Sequence, residues 1–177
     1  MFTWLKNYWL DPEFNRKKRF LQRVPFFKDI PRREFGRLFL ALAKRHYEAG
    51  DVLFHEGDVG RALFILEWGQ IEICRRDASG TPQRIALLDS GDYFGEISLM
   101  DDQPRTAGAI AVTPSRVYLL YRTELDALLQ EAPHAAAAIT AHLAEVLASR
   151  LRHVLAASED KPSSPSSDVE PLMKEVR

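Results

Sequence analysis

Cysteine is nearly absent from this 177-residue chain, with Cys74 standing alone. One thiol excludes an internal disulfide and any cysteine-based zinc cluster. It fits a reducing compartment, so a cytoplasmic location is expected. Histidine is scarce as well: His46, His55, His134, His142 and His153 contain no His-x-His pair, the pattern a small metal-binding barrel would need, so no metal is expected. An excess of one charge is also lacking. The 24 Lys and Arg against 25 Asp and Glu give a net charge of −1, which excludes a surface that is basic all over and leaves nucleic-acid binding only to a local patch. No apolar run approaches the ~18 residues of a membrane span. The opening MFTWLKNYWLDPEF has no continuous apolar core and no small-residue cleavage site, so it does not read as a secretory signal. No nucleophile–base pattern stands out, which makes an enzyme the least expected class.

What is present separates into four regions by composition. With 46 % hydrophobic residues the chain can build a core, and its length suggests one domain with attachments. The first region, up to His46, is helical in pattern, with Phe35, Leu38, Phe39 and Leu42 at helix spacing and Pro31 suited to a first turn after a capping Asp29. The second, about 46 to 121, changes period. Its short strand-like runs are punctuated by Ala-Gly-Asp, Glu-Gly-Asp, Ser-Gly-Thr-Pro and Ser-Gly-Asp, and QIEICRR alternates Ile71 and Ile73 with polar neighbours. The third is helical again. Thr123 is placed to cap one helix and Pro133 to open a longer one, along which Ile139, Leu143, Val146, Leu147, Leu151, Val154 and Leu155 form an apolar stripe. The fourth, EDKPSSPSSDVEPLMKEVR, reads as a disordered tail.

The chemistry concentrates in GDYFGEISLMDDQPRTAGAIAV, Gly91 to Val112. Gly95 lets a backbone approach a ligand closely. A short turn over Ile97 to Met100 would present unpaired N–H groups to an anion. Arg105 supplies a planar charge suited to phosphate, and Ser98 and Thr106 add hydroxyls. Glu96 would repel a phosphate but accepts from sugar hydroxyls. An anion clamp beside a hydroxyl acceptor fits a phosphorylated sugar, with a nucleotide as the natural candidate. Taken alone, Glu96 and Arg105 read equally as a structural salt bridge in a barrel.

The stretches YEAGDVLFHEGDVGRALFILEWGQIEI, LLDSGDYFGEISLM and PRTAGAIAV, in that order, resemble the cyclic nucleotide-binding domain family, which includes kinase and channel regulatory domains and the sensor half of the catabolite activator protein. The likeness runs from about Val24 to Leu155. It implies an α+β fold, an eight-stranded antiparallel β-roll of jelly-roll type with N-terminal helices and a long C-terminal helix. The implied domain spans 24–157, after a helical extension over 1–23 and before a tail over 158–177. The resemblance also implies that GDYFGEISLMDDQPRTA is a phosphate-binding cassette. Glu96 would then accept from the ribose 2′-hydroxyl and Arg105 would pair with the cyclic phosphate, with Gly95, Ile97, Ser98, Thr106 and Ala107 completing the contacts. The helix from Pro133 would be the lid or dimer helix. Gly108 stands where the family often has Thr or Ser, which implies a looser wall to the base pocket. Thr106 recurs in members that accept cGMP, yet members with Thr also prefer cAMP, and cAMP is the favoured ligand.

The expected function is therefore a non-enzymatic cAMP or cGMP receptor that signals to a partner protein through its flanking helices, with no cofactor beyond that ligand. A homodimer through the long helix stays open, helped by the small residues Ala135 to Ala138. The chain stops soon after Leu155, leaving no room for a recognition helix, so direct DNA binding is not expected. Two alternatives remain: a ligand-independent interaction module, and a regulator at a membrane surface. The second rests on Trp4, Leu5, Tyr8 and Trp9 ahead of the basic run Asn15 to Arg19, which otherwise reads as a helix packed on the roll or on a partner.

Overall fold

The repeated X-Gly-Asp signal is one structural device used three times. In a computed structural model of the chain, which describes residues 12–24, 27–77, 79–101 and 103–159, Gly50, Gly57 and Gly91 all take positive φ, 90°, 86° and 100°, a conformation that needs no Cβ. Each following aspartate folds back: Asp51, Asp58 and Asp92 accept through Oδ2 from the N–H of Glu48, His55 and Asp89 at 2.7, 2.7 and 2.9 Å. Each turn then clasps one residue of another segment by a reciprocal backbone pair. Gly50 donates to the Ala111 carbonyl and Ala111 donates to that of Asp51; Gly57 and Asp58 hold Arg105 in the same way, and Gly91 and Asp92 hold Leu66. The Trp4–Trp9 segment and the tail from residue 160 lie outside the described residues.

The strands form two four-stranded sheets, antiparallel throughout. One has the order β1 (Leu42–Tyr47), β8 (Ser115–Tyr121), β3 (Ala62–Trp68), β6 (Tyr93–Phe94), and the other β2 (Val52–Phe54), β7 (Gly108–Ala111), β4 (Ile71–Arg76), β5 (Pro82–Leu88). This is the expected eight-stranded roll. β3 is covered on both faces, which is why ALFIL reads as an unbroken apolar run. Leu63 and Ile65 join the core under the helices, whereas Ala62, Phe64 and Leu66 join the core between the sheets with Phe94, Ala109, Ala111, Val117 and Leu119.

Five helices stand among the described residues: α1 (Pro12–Leu21), α2 (Phe35–Ala41), α3 (Glu96–Asp101), α4 (Arg122–Glu131) and α5 (Pro133–Glu159). Leu21, Leu38, Phe39, Leu125, Leu128, Ile139 and Leu143 pack with Leu63, Ile65, Tyr118 and Leu120, each fully buried side chain contributing roughly 1.5–3 kcal/mol. Ala135 and Ala136 are fully buried in this same core, so the small residues admit close helix packing inside the molecule. Lys17, inside the basic run of α1, does not face solvent. Its Nζ donates to the carbonyls of Phe39 (2.6 Å) and Leu42 (2.8 Å) and lies 4.1 Å from the Phe39 ring centre, closing the C-terminal end of α2.

Three local expectations are corrected. The helical pattern of the first region extends to His46, but Leu42–Tyr47 is strand β1, because Leu42 to Tyr47 pair along their whole length with Leu120 to Ser115; cross-strand pairing outweighs the local period. Pro31 belongs to the turn before α2, its carbonyl accepting from Glu34 and Phe35, so Asp29 caps nothing there. Thr123 is not a cap either: β8 runs straight into α4, whose N-cap is Tyr121 without a side-chain bond. By contrast, α5 does begin at Pro133.

The chain divides into two compact units, Met1–Ala144 and Glu145–Arg177. In the first, Ile139 and Leu143 of the stripe are fully buried; in the second, Leu151 and Leu155 are 59 % and 55 % exposed.

Candidate functional site

β6 is two residues long and stops because the chain must turn at Gly95. That residue has φ 81°, and a Cβ on it would sit 2.5 Å from Arg105 Nη1 and 3.1 Å from the Ala62 carbonyl. Both the backbone angle and the space require glycine. α3 starts at once with Glu96, which is 1 % exposed, followed by half-buried Ile97 and by Ser98 at 2 %. The first N–H groups of this helix lack intrahelical acceptors. Its far end is tied down by Arg122, whose Nε donates to the Leu99 carbonyl at 2.8 Å.

Arg105 arrives from the opposite direction. Its backbone is clasped by the Glu56-Gly57-Asp58 turn: Gly57 N–H donates to its carbonyl at 2.9 Å, and its own N–H donates to the Asp58 carbonyl at 2.8 Å. Its side chain, in a residue 6 % exposed overall, donates from Nη1 to the Gly95 carbonyl (2.9 Å) and from Nη2 to the Ala62 carbonyl (2.8 Å). The guanidinium carbon lies 4.3 Å from the Phe54 ring centre and 5.4 Å from that of Phe64, a cation–π platform on one side. Burial pulls the guanidinium pKa down, while Glu96 and Asp58 pull it up; an arginine stays charged under all these influences.

One nitrogen of this arginine makes no hydrogen bond. Nε is buried and has no hydrogen-bond partner. Beside it stands Gly60, where a Cβ would fall 2.6 Å from Nε and 2.5 Å from Ser98 Cβ. Thus Gly60 keeps open the space between the orphan N–H and the start of α3.

The structure brings Gly95, Glu96, Ser98 and Arg105 to one place, with Ile97 half-buried on α3. Thr106 is exposed and Ala107 half-buried on the approach to β7. Ala109 and Ala111 face the inter-sheet core with Phe64, so by strand alternation Gly108 points the other way. A Cβ on Gly108 would lie 3.5 to 3.6 Å from the Phe54 carbonyl, the Cys74 sulfur and the Glu56 nitrogen. It borders a groove of about 450 Å³ lined also by Cys74, His55 and Arg75.

Sequence reasoning missed several contributors. Phe54 and Phe64 read as ordinary strand residues. The Ala62 acceptor is a backbone atom with no sequence signature. Gly60 reads as one more glycine in a turn. The Glu56-Gly57-Asp58 turn is visible in the sequence, but its grip on Arg105 is not. Two polar links also hold the first half of α5, one to β6 and one to the turn before α2. Tyr93, two residues before Gly95, has its hydroxyl 3.2 Å from His142 Nε2. Glu34 accepts from the Ala135 N–H and pairs with His134 Nδ1, both at 2.8 Å, capping the start of α5. Desolvation pushes the Glu34 pKa up, but the bonds from Ala135 and His134, with the charges of His134 and Arg33, leave it lowered.

A profile of the cyclic nucleotide-binding domain matches residues 44–153, and the chain belongs to that family. It is 34 % identical over 129 residues to the cyclic AMP receptor protein of Thermus thermophilus, covering 72 % of this chain and 57 % of that protein. It is 36 % identical over 110 residues to a cAMP-dependent protein kinase regulatory subunit of Eremothecium gossypii, covering 62 % of this chain and 23 % of that one. The crystal structure of the Thermus thermophilus catabolite activator protein superposes with a TM-score of 0.68 at 32 % identity, covering 76 % of this chain and 62 % of that chain. The chain thus spans little more than half of the first curated relative and about a quarter of the second.

Proposed function

We propose that the chain is a non-enzymatic receptor for a cyclic nucleotide, cAMP first and cGMP second, whose binding is relayed to a partner protein. The observation that carries this reading is the orphan Nε–H of Arg105. An unsatisfied buried donor costs about 1–3 kcal/mol. It is tolerated here in a side chain backed by two rings, held by two carbonyls and kept uncrowded by Gly60. A phosphate oxygen is the acceptor that a lone guanidinium in such a cradle suits, and a cyclic phosphate brings the single negative charge that one guanidinium balances. Glu96 accepts from the ribose hydroxyl. The N–H groups at Ile97 and Ser98, with Gly95, Thr106 and Ala107, complete the contacts.

The relay runs through α5. The Tyr93–His142 contact joins the strand that leads into the cassette to that helix, so ordering of the cassette biases the position of α5. The ligand shifts this equilibrium only by its difference in affinity for the two arrangements. The output is a partner protein or a second copy of the chain engaging α5.

Calorimetric titration with cAMP and cGMP tests the reading. Saturable binding of at least one is expected, and Arg105→Ala should weaken it by about 1.5–3 kcal/mol, the worth of a charge-assisted contact. No heat with either nucleotide on folded protein would refute it; unchanged affinity in the variant would refute the phosphate assignment.

A further inference from the structure

A second charged site lies where α1 meets the roll. Glu67 stands near the end of β3 on the face that carries Leu63 and Ile65, and is only 7 % exposed. A carboxylate there needs cations. Arg116 of β8, 8 % exposed, pairs with one of its oxygens, and Arg16 of α1 lies 3.6 Å from the other. Two guanidinium groups on one carboxylate already over-balance it. Yet the cavity beside this cluster, about 590 Å³, is lined by Arg19 and Arg23 as well. Arg16 and Arg19 are one turn apart on α1, a spacing at which like charges repel, and Arg23 follows four residues on in the turn that ends the helix.

The lining therefore holds four arginines against one glutamate, in a chain whose net charge is −1. Asp89 and Asp92 of the adjoining turn do not line the cavity; their oxygens accept from Gln70 Nε2 and from the Asp89 N–H. Trp68 forms part of the wall, 41 % exposed, with the Arg116 guanidinium 5.6 Å from its ring.

We propose that this cavity is a second ligand site, for a phosphate monoester that carries a planar or apolar body. Neighbouring arginine forks match the oxygens of a doubly charged phosphate. The volume exceeds what a phosphate alone fills, and the Trp68 ring offers a surface for the remainder. The Arg105 site differs in kind, having one guanidinium and suiting a singly charged cyclic ester. Because α1 and the turn after it supply three of the four arginines, a ligand bound here ties α1 to the roll.

Phenyl phosphate is the probe, with inorganic phosphate beside it, titrated calorimetrically into the full chain at low salt with and without cAMP. Phenyl phosphate should bind saturably, more tightly than inorganic phosphate, and without competition from cAMP. Added salt should weaken it. The Arg19→Gln/Arg23→Gln double variant changes exposed side chains and so keeps the fold; it should weaken phenyl phosphate at least about tenfold. Arg105→Ala should leave it unchanged, which keeps this test separate from the fate of the cyclic-nucleotide reading. Absence of saturable binding, equal binding by the double variant, or loss of binding in Arg105→Ala would overturn the proposal.

Discussion

Arg105 shows how a few atoms decide a site. Its side chain is aimed by two carbonyls and two rings, and its backbone by the Gly57–Asp58 clasp. Gly60 matters only through the atom it lacks. Gly60→Ala would place a methyl 2.6 Å from Nε, displacing the guanidinium or Ser98. The expected outcome is at least about a tenfold loss of cyclic-nucleotide affinity with an unchanged circular dichroism spectrum, and an unaffected Kd would contradict the cradle. Lys17 gives a pH signature at the same scale. Burial holds its ammonium down at about 8, against the opposing pull of Glu67, whereas in the unfolded chain it keeps its proton to about 10.4. Between these values the unfolded state binds more protons, so stability rises with pH across the window. Urea denaturation at about pH 7.5 and about pH 9.5 should show the native chain gaining stability relative to Lys17→Met. A parallel response of the two proteins would remove the assignment.

At the scale of elements, α5 is a helix with two different fates along one stripe. Ile139 and Leu143 are fully buried, while Leu151 is 59 % exposed. Ile139→Ala should destabilise by about 2–5 kcal/mol through lost burial and a cavity, and Leu151→Ala by no more than about 0.5 kcal/mol, both read by chemical denaturation. Equal costs would mean that the stripe is covered throughout its length. The periodicity of α5 was legible because Pro133 and a 3.6-residue repeat are local. β1 was not legible: LAKRHY continues a helical period, and only the facing strand β8 turns it into a strand. Cap positions failed for a related reason. Tyr121 and Glu34 end up at helix starts because strands and turns deliver them there, with Glu34 also serving α5 from about 100 residues away.

For the whole molecule, a ligand that binds only the folded state must stabilise it. At one hundred times Kd the gain is about 2.7 kcal/mol, which for a chain of this size raises Tm by roughly 5–10 °C. Differential scanning with cAMP and with cGMP should show that shift for the preferred nucleotide and lose it in Arg105→Ala. A shift that survives the substitution would put the nucleotide elsewhere.

The sequence by itself determined the strand-rich middle region, the three Gly-Asp turns and the long helix from Pro133, while its resemblance to a known family implied the eight-stranded roll and singled out Glu96 and Arg105 as the expected ligand contacts. The first three follow from local rules: alternation in strands, glycine where φ is positive, and period in helices. Tertiary structure alone decided what surrounds them. Phe54, Phe64, Gly60 and the Ala62 carbonyl gather on Arg105, Gly108 turns to the outer face, and Glu67 draws arginines from α1 and β8 into one cavity. Those are contacts between segments far apart in the chain, and they arise only when the two sheets close on one core and α1 packs on the other face of β3.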